Sequence, residues 1–209
     1  MWPWKRKALS DYERAMPREV LVQGSRVVVV DDEQPLIIDE LRKAGFAVDH
    51  DASGADLRPY DQQLYDVAVV DFHGVGGQLG AMQGLELVRY IRRVSPRTRV
   101  VAHTSRSLSA SEADFFTLSH TVLPKDLGLG DSLALIEGEL KKALSKQHLF
   151  DALIGKLAGS APERRAEIEK ELLKALAGKN DESFKRYLSK SVGFTAEKAV
   201  DVILSKMFA

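Results

Sequence analysis

The sequence predicts a doubly wound α/β domain with five parallel strands, followed by a small all-helical domain. Three observations predict it. Between residues 26 and 146, short runs that are apolar along their whole length alternate with amphipathic helical stretches, and strands of that kind belong in a parallel sheet covered on both faces. The runs end in polar residues, as in "VVVVDD", "VAVVD", "VVAHT" and "VLPK", which puts chemistry at the carboxyl ends of the strands, where such sheets bind ligands. After about residue 146 the β-branched runs stop, and helix formers and charges take over. The implied organisation is an N-terminal arm over 1–25, an α/β domain over 26–146 and a helical domain over 147–209.

Within the α/β domain each element has a local cause. "RVVVV" (26–30) is a β-branched run of strand length. "DEQPLIIDELRKAG" (32–45) has apolar residues at helical spacing, with Pro35 early and Gly45 at the stop. "FAVDH" (46–50) reads as a strand, 54–65 as a weak helix broken near Pro59, and "DVAVVD" (66–71) as a second buried strand. "GLELVRYIRRVSP" (84–96) is amphipathic, with Leu85, Leu87, Val88 and Ile91 on its apolar side. A strand over 99–104, a helix over 109–120 capped by Ser109 or Ser111, a strand over 121–125 and a helix over 131–144 complete the alternation.

That last helix reads as able to continue through residues 145–159. "SAPE" (160–163) then has the form of a capping box, with Ser160 as cap and Glu163 three residues on. The helix it opens stops at Gly178, Asp181 can cap the next, and Thr195 the last. At the other end, Trp2 and Trp4 beside Lys5, Arg6 and Lys7 suit either a contact with a partner or a membrane surface, or an arm folded on the body.

Composition narrows the function classes. The 209 residues carry 30 Lys and Arg against 30 Asp and Glu, so there is no global field to draw the protein onto nucleic acid or an anionic membrane. Without cysteine there are no disulfides and no thiolate metal sites. The basic start is not followed by the apolar stretch of a secretory signal, and no apolar run is long enough to cross a bilayer. The expectation is a soluble cytoplasmic protein that does not engage a membrane.

A parallel sheet gathers Asp31, Asp32, Asp71, Thr104 and Lys125 at one edge. Singly, each has a structural explanation as a helix cap, a strand end or a solvated side chain. Together they have a chemistry. Three clustered carboxylates repel one another unless a cation is present. Oxygen ligands at that density suit Mg²⁺, which binds through a few carboxylates and phosphate oxygens. A carboxylate such as Asp71 can act as a nucleophile and form an acyl phosphate. Lys125 and Thr104 then suit the equatorial oxygens of a transferring phosphoryl group, which needs positioning and charge neutralisation.

At these residues the sequence resembles the receiver domain of two-component response regulators. "VVVVDDE", "VAVVD", "GLELVRYIR", "VVAHTS" and "VLPK" match its pattern in order, over roughly 26–145. The resemblance implies a flavodoxin-like fold with strand order 2-1-3-4-5. It implies phosphoryl transfer to Asp71 from a sensor histidine kinase or phosphotransfer protein. It places Asp31, Asp32, Asp71 and the backbone carbonyl of His73 at a Mg²⁺ ion, makes Thr104 the switch hydroxyl and Lys125 the phosphate-pairing lysine. Such a protein is not an enzyme acting on foreign substrates; it accepts and loses its own phosphoryl group. His73 and Arg106 fall where the family flanks that group and its attacking water. Four departures stand out: Val122 replaces an aromatic residue, Asp126 replaces a proline, Ser105 replaces an alanine, and the loop after Asp71 is long.

Other readings of the same residues are weaker. The glycines at 74, 76, 77, 80 and 84 lack the Gly-Lys-Ser/Thr of a Walker loop, and they follow the wrong strand for a dinucleotide fingerprint. They read as a flexible insertion or as a plain solvated loop. The histidines at 50, 73, 103, 120 and 148 have no metal-ligand spacing, and His103 reads as a satisfied core residue. The helical domain suits a protein-interaction or dimerisation module, its partner an unidentified protein or a second copy. A helix-turn-helix over 185–207 would make the chain a DNA-binding transcriptional regulator, but across 147–209 acids are nearly as frequent as bases. A receiver-like scaffold that does not switch is the remaining alternative.

Overall fold

The computed structural model describes residues 7–13, 15–105, 113–157, 163–192 and 198–209. It divides into two compact units, one of Met16–Ala143 and one of Met1–Ala15 with Leu144–Ala209.

The first unit is a five-stranded parallel sheet in the order β2-β1-β3-β4-β5, the order implied by the sequence resemblance. Its strands are β1 (Arg26–Val30), β2 (Ala47–Asp51), β3 (Val67–Asp71), β4 (Arg99–Thr104) and β5 (Thr121–Pro124). Its helices are α1 (Arg18–Gly24), α2 (Ile37–Lys43), α3 (Arg58–Asp61), α4 (Gly84–Val94), α5 (Ala113–Leu118) and α6 (Leu129–Ala143). The central strands are apolar throughout because both faces are covered. Val28, Val30, Ala68, Val70, Val100 and Ala102 pack with Leu85, Leu87, Val88 and Ile91 of α4 and with Phe115 of α5. The alternate residues Val27, Val29, Val67, Val69 and Val101 are equally buried, on the side where α6 meets β3 and β4. Each such side chain stabilises the fold by roughly 1.5–3 kcal/mol relative to exposure. Gly45, at φ +95°, ends α2 as its sequence position predicts.

The amino ends of β3 and β4 are tied by polar groups. The Arg97 guanidinium, 1% exposed, pairs with the fully buried Asp66 and also donates to the Gln63 carbonyl. Asp66 accepts the Arg26 N–H at 2.8 Å through its other oxygen, and Thr98 Oγ1 donates to the Tyr65 carbonyl at 2.8 Å.

The second unit contains a 3-10 turn (Leu9–Tyr12), α7 (Lys146–Lys156), α8 (Arg165–Gly178), α9 (Asp181–Ser191) and α10 (Lys198–Phe208). Its core includes Leu9, Phe150, Leu153, Leu172, Phe184, Leu188, Ile203 and Met207. Two sequence expectations are corrected here. The helix over 131–144 does not continue: α6 ends at Ala143, and Ser145 caps a new helix by accepting the His148 N–H. The cap of α9 is Asn180, whose side chain accepts the Ser183 N–H at 2.9 Å, and Asp181 is the first residue of the helix itself. The expected caps Ser109, Ser111, Ser160 and Thr195, the turn at 193–197, and Trp2 and Trp4 lie outside the described residues. Among the described residues no helix is long and apolar enough to cross a membrane.

The glycine-rich loop differs from a free insertion. Val75 is fully buried in the core beneath α4, Gly76 N–H donates to the Ser53 carbonyl at 2.7 Å, and Gln78 Nε2 donates to the Gly54 carbonyl at 2.6 Å. Val75 thus fastens it to the core, and the two hydrogen bonds fasten it to the loop after β2.

Candidate functional site

Strand register assembles the site. Val30 and Val70 are register partners, so Asp31 and Asp71, which follow them, reach the same edge of the sheet. Asp71 is in turn the partner of His103 on β4, and Thr104 is the partner of Pro124 on β5, which brings Lys125 to that edge. The Lys125 N–H donates to the Thr104 carbonyl at 2.8 Å, fixing where the lysine leaves the strand.

Asp31, Asp32 and Asp71 each present a carboxylate oxygen within 4.8 Å of the others. Asp31 is fully buried, Asp71 is 7% exposed, and Asp32 opens to solvent. Lys125 Nζ lies 2.7 Å from Asp71 Oδ2 and 3.1 Å from Asp31 Oδ2. Asp71 Oδ1 accepts the Phe72 N–H at 2.7 Å. Asp31 Oδ1 accepts the Glu33 N–H at 3.1 Å, and its Oδ2 takes a second contact from His103 Nδ1 at 3.0 Å.

These contacts set the protonation of the site. Burial pushes the Asp31 carboxyl up, but the hydrogen bonds from His103, Lys125 and the Glu33 N–H outweigh it and hold the carboxyl below its usual range. Burial likewise pushes the Lys125 ammonium down, and its hydrogen bonds and charge contacts with Asp71 and Asp31 outweigh that and hold it above its usual value.

Two glycines let the backbone close around the carboxylates. Gly74, at φ +73°, has no room for a side chain: a Cβ there would lie 2.3 Å from the Asp32 carboxyl group. At Gly84, the first residue of α4, a Cβ would lie 2.1 Å from the Asp71 carbonyl oxygen and 2.9 Å from the Phe72 backbone. The neighbour is backbone, so it cannot rotate aside. Gly84→Ala is expected to cost about 1–3 kcal/mol by overpacking, read as a lower urea midpoint, and to shift the Asp71 and Phe72 amide resonances. A folded alanine variant with unshifted resonances there would refute the close approach.

Among the residues predicted from sequence, the structure brings Asp31, Asp32, Asp71 and Lys125 together. Thr104 is half-buried at the end of β4, with its hydroxyl donating to the Ser105 carbonyl at 3.0 Å. His73 is exposed, its ring edge-on to Phe72 with centroids 4.8 Å apart. Arg106 lies outside the described residues. The residue that sequence reasoning placed elsewhere is His103. It is buried and satisfied, as expected of a core histidine, but its partner is the Asp31 carboxylate.

No protein-family model and no curated protein matches this sequence. Solved structures do. A protein described as a two-component system response regulator/GGDEF domain protein superposes with a TM-score of 0.51 at 19% identity, over 60% of this chain and 53% of its own. The fold is the receiver fold. NtrX from Brucella abortus, solved in complex with ATP, also superposes with a TM-score of 0.51, at 18% identity, over 70% of this chain and 34% of its own. A CheY-like response regulator receiver domain protein from Methanospirillum hungatei JF-1 is 19% identical over 57% of this chain and 95% of its own, with a TM-score of 0.49.

The acidic edge of this receiver-fold unit suits a hard divalent cation. Its donors are all oxygens, one carboxylate is open to solvent, and among the described residues three formal negative charges face the Lys125 ammonium. The remaining excess is the charge that one divalent ion balances.

Proposed function

We propose that this chain is a response regulator that accepts a phosphoryl group on Asp71. The observation that carries the proposal is the Asp71 carboxylate at the end of a buried strand, with Lys125 Nζ 2.7 Å from one oxygen and two further carboxylates within 4.8 Å. In the transfer, an Asp71 oxygen attacks the phosphorus of a donor phosphohistidine. A new O–P bond forms, the N–P bond breaks, and its electron pair stays on the donor imidazole, which takes up a proton. Lys125 then follows the negative charge from the carboxylate to the phosphoryl oxygens, and the Thr104 hydroxyl turns from the Ser105 carbonyl to a third oxygen. Asp31, Asp32, Asp71 and the backbone carbonyl of His73 would hold Mg²⁺, which when bound neutralises developing charge on the phosphoryl group. No foreign substrate is turned over.

The donor in this proposal is a sensor histidine kinase or phosphotransfer protein in the cytoplasm. The receiver over 26–146 relays its state to the helical part over 147–209, which acts by binding a protein, either another chain or a second copy. Incubation with Mg²⁺ and a small phosphodonor is expected to add one phosphoryl group to the intact mass, and Asp71→Asn is expected to remove that gain. A wild-type chain that gains no mass sinks the proposal. A non-switching scaffold is the second reading, favoured by Val122, which stands where the resembled family has an aromatic residue and is 36% exposed.

A further inference from the structure

Asp31 is held from every side. Its backbone N–H donates to the Asp51 carbonyl at 3.3 Å, and its own carbonyl accepts His50 Nε2 at 2.8 Å. Its Oδ1 accepts the Glu33 N–H, and its Oδ2 is shared between His103 Nδ1 at 3.0 Å and Lys125 Nζ at 3.1 Å. An ionised carboxylate only accepts, so His103 donates here through Nδ1–H. These holds differ in kind. Lys125 sits on a flexible stem, its side chain is 30% exposed, and it also serves Asp71. The His103 ring is 4% exposed, and it reaches Asp31 from β4, the strand whose register sets it beside Asp71.

We infer that His103 is a positioning residue for the cation site: its Nδ1–H fixes Asp31 Oδ2, so that this carboxylate keeps its orientation when Lys125 leaves it for a phosphoryl group. This role rests on Asp71 being the phosphoacceptor and on Asp31 being a cation ligand. Without His103, Lys125 is the one side-chain donor to Asp31 Oδ2 among the described residues. The carboxylate is then free to swing with the lysine, and a cation must first draw it back. Hydrogen-bonded partners behind ligating groups commonly change metal affinity about 10–100-fold.

The test is Mg²⁺ binding to the full-length chain by calorimetry, without any phosphodonor, for wild type, His103→Leu and His103→Asn. Leucine fills the space without a donor. Asparagine places an N–H one bond beyond Cγ, where the histidine has Nδ1. His103→Leu is expected to raise the Mg²⁺ Kd about tenfold or more, and His103→Asn to restore most of the affinity. Urea unfolding of the same variants separates this from packing, since a purely structural histidine would move the urea midpoint and leave the Kd in place. If the wild type binds Mg²⁺ and gains phosphoryl mass while the leucine variant binds Mg²⁺ equally well, the role of His103 falls and the phosphoacceptor function stands. If the wild type neither binds Mg²⁺ nor gains mass, both fall. If both variants lose affinity alike, the hydrogen bond is not what matters and the inference is overturned.

Discussion

Arg97→Met is expected to lower the stability of the sheet unit by about 3–5 kcal/mol, the usual cost of stranding one partner of a buried ion pair. Arg97 and Asp66 are 1% and 0% exposed, so neither has water to fall back on. Methionine removes both the pair with Asp66 and the donor to the Gln63 carbonyl. The Gln63 carbonyl belongs to a residue held at φ +58°, so this bond also supports a turn that the backbone does not favour by itself. Asp66 keeps the bond from the Arg26 N–H at 2.8 Å, but a neutral amide does not balance a buried charge. Arg97→Met with Asp66→Leu is expected to cost less than Arg97→Met alone, since no charge remains buried. It is not expected to return to wild type, because the Arg26 N–H then loses its carboxylate, at about 1–3 kcal/mol. Urea titration of the full-length chain, with amide exchange in β3 and β4 as the local readout, distinguishes these cases. A single variant within about 0.5 kcal/mol of wild type would mean that this end of the sheet is held by packing alone.

Elements with local causes were legible in the sequence. The three central strands, β1, β3 and β4, are runs whose β-branched residues bury on both faces, and the residue that closes each apolar run is fixed by covalent connection, so Asp31, Asp71 and Lys125 could be placed at one edge from the sequence. His103 was not legible in the same way. It is next to Thr104 in the chain, but its partner is 72 residues away, and only the register of β1, β3 and β4 brings them together. The break between α6 and α7 has the same origin. Residues 140–150 form helix readily throughout, and what divides them is that Leu140 belongs to the core of one unit and Phe150 to that of the other. The glycine-rich loop carries a single deeply buried side chain, Val75, which makes no periodic pattern, and its anchors Ser53 and Gly54 are far off in sequence.

Lys125→Met is expected to move Mg²⁺ binding and phosphorylation in opposite directions. The ammonium touches Asp71 Oδ2 at 2.7 Å and Asp31 Oδ2 at 3.1 Å, so it competes for the oxygens that the proposed function gives to the cation. Without it three carboxylates face each other uncompensated, and Mg²⁺ is expected to bind more tightly and to stabilise the variant more than it stabilises wild type at the same concentration. Phosphoryl acceptance is expected to fall about 10²–10³-fold, the common effect of deleting one charge-stabilising donor at a transition state. Stability should also change its dependence on pH. Asp31 is held below the ordinary 3.8, so its contribution is complete above that pH and is lost as the pH falls through the folded value. Lys125 is held above the ordinary 10.5, so its contribution is complete below that pH and is lost as the pH rises through the folded value. In the methionine variant the alkaline loss disappears with the lysine. The acid loss shrinks but persists, because His103 and the Glu33 N–H still hold Asp31 in its ionised form. Calorimetric Mg²⁺ titration, phosphodonor labelling and urea midpoints across that pH range measure the three effects on one variant. If Mg²⁺ affinity and labelling both fell, Lys125 would be acting as scaffold for the carboxylates rather than as their competitor for the cation.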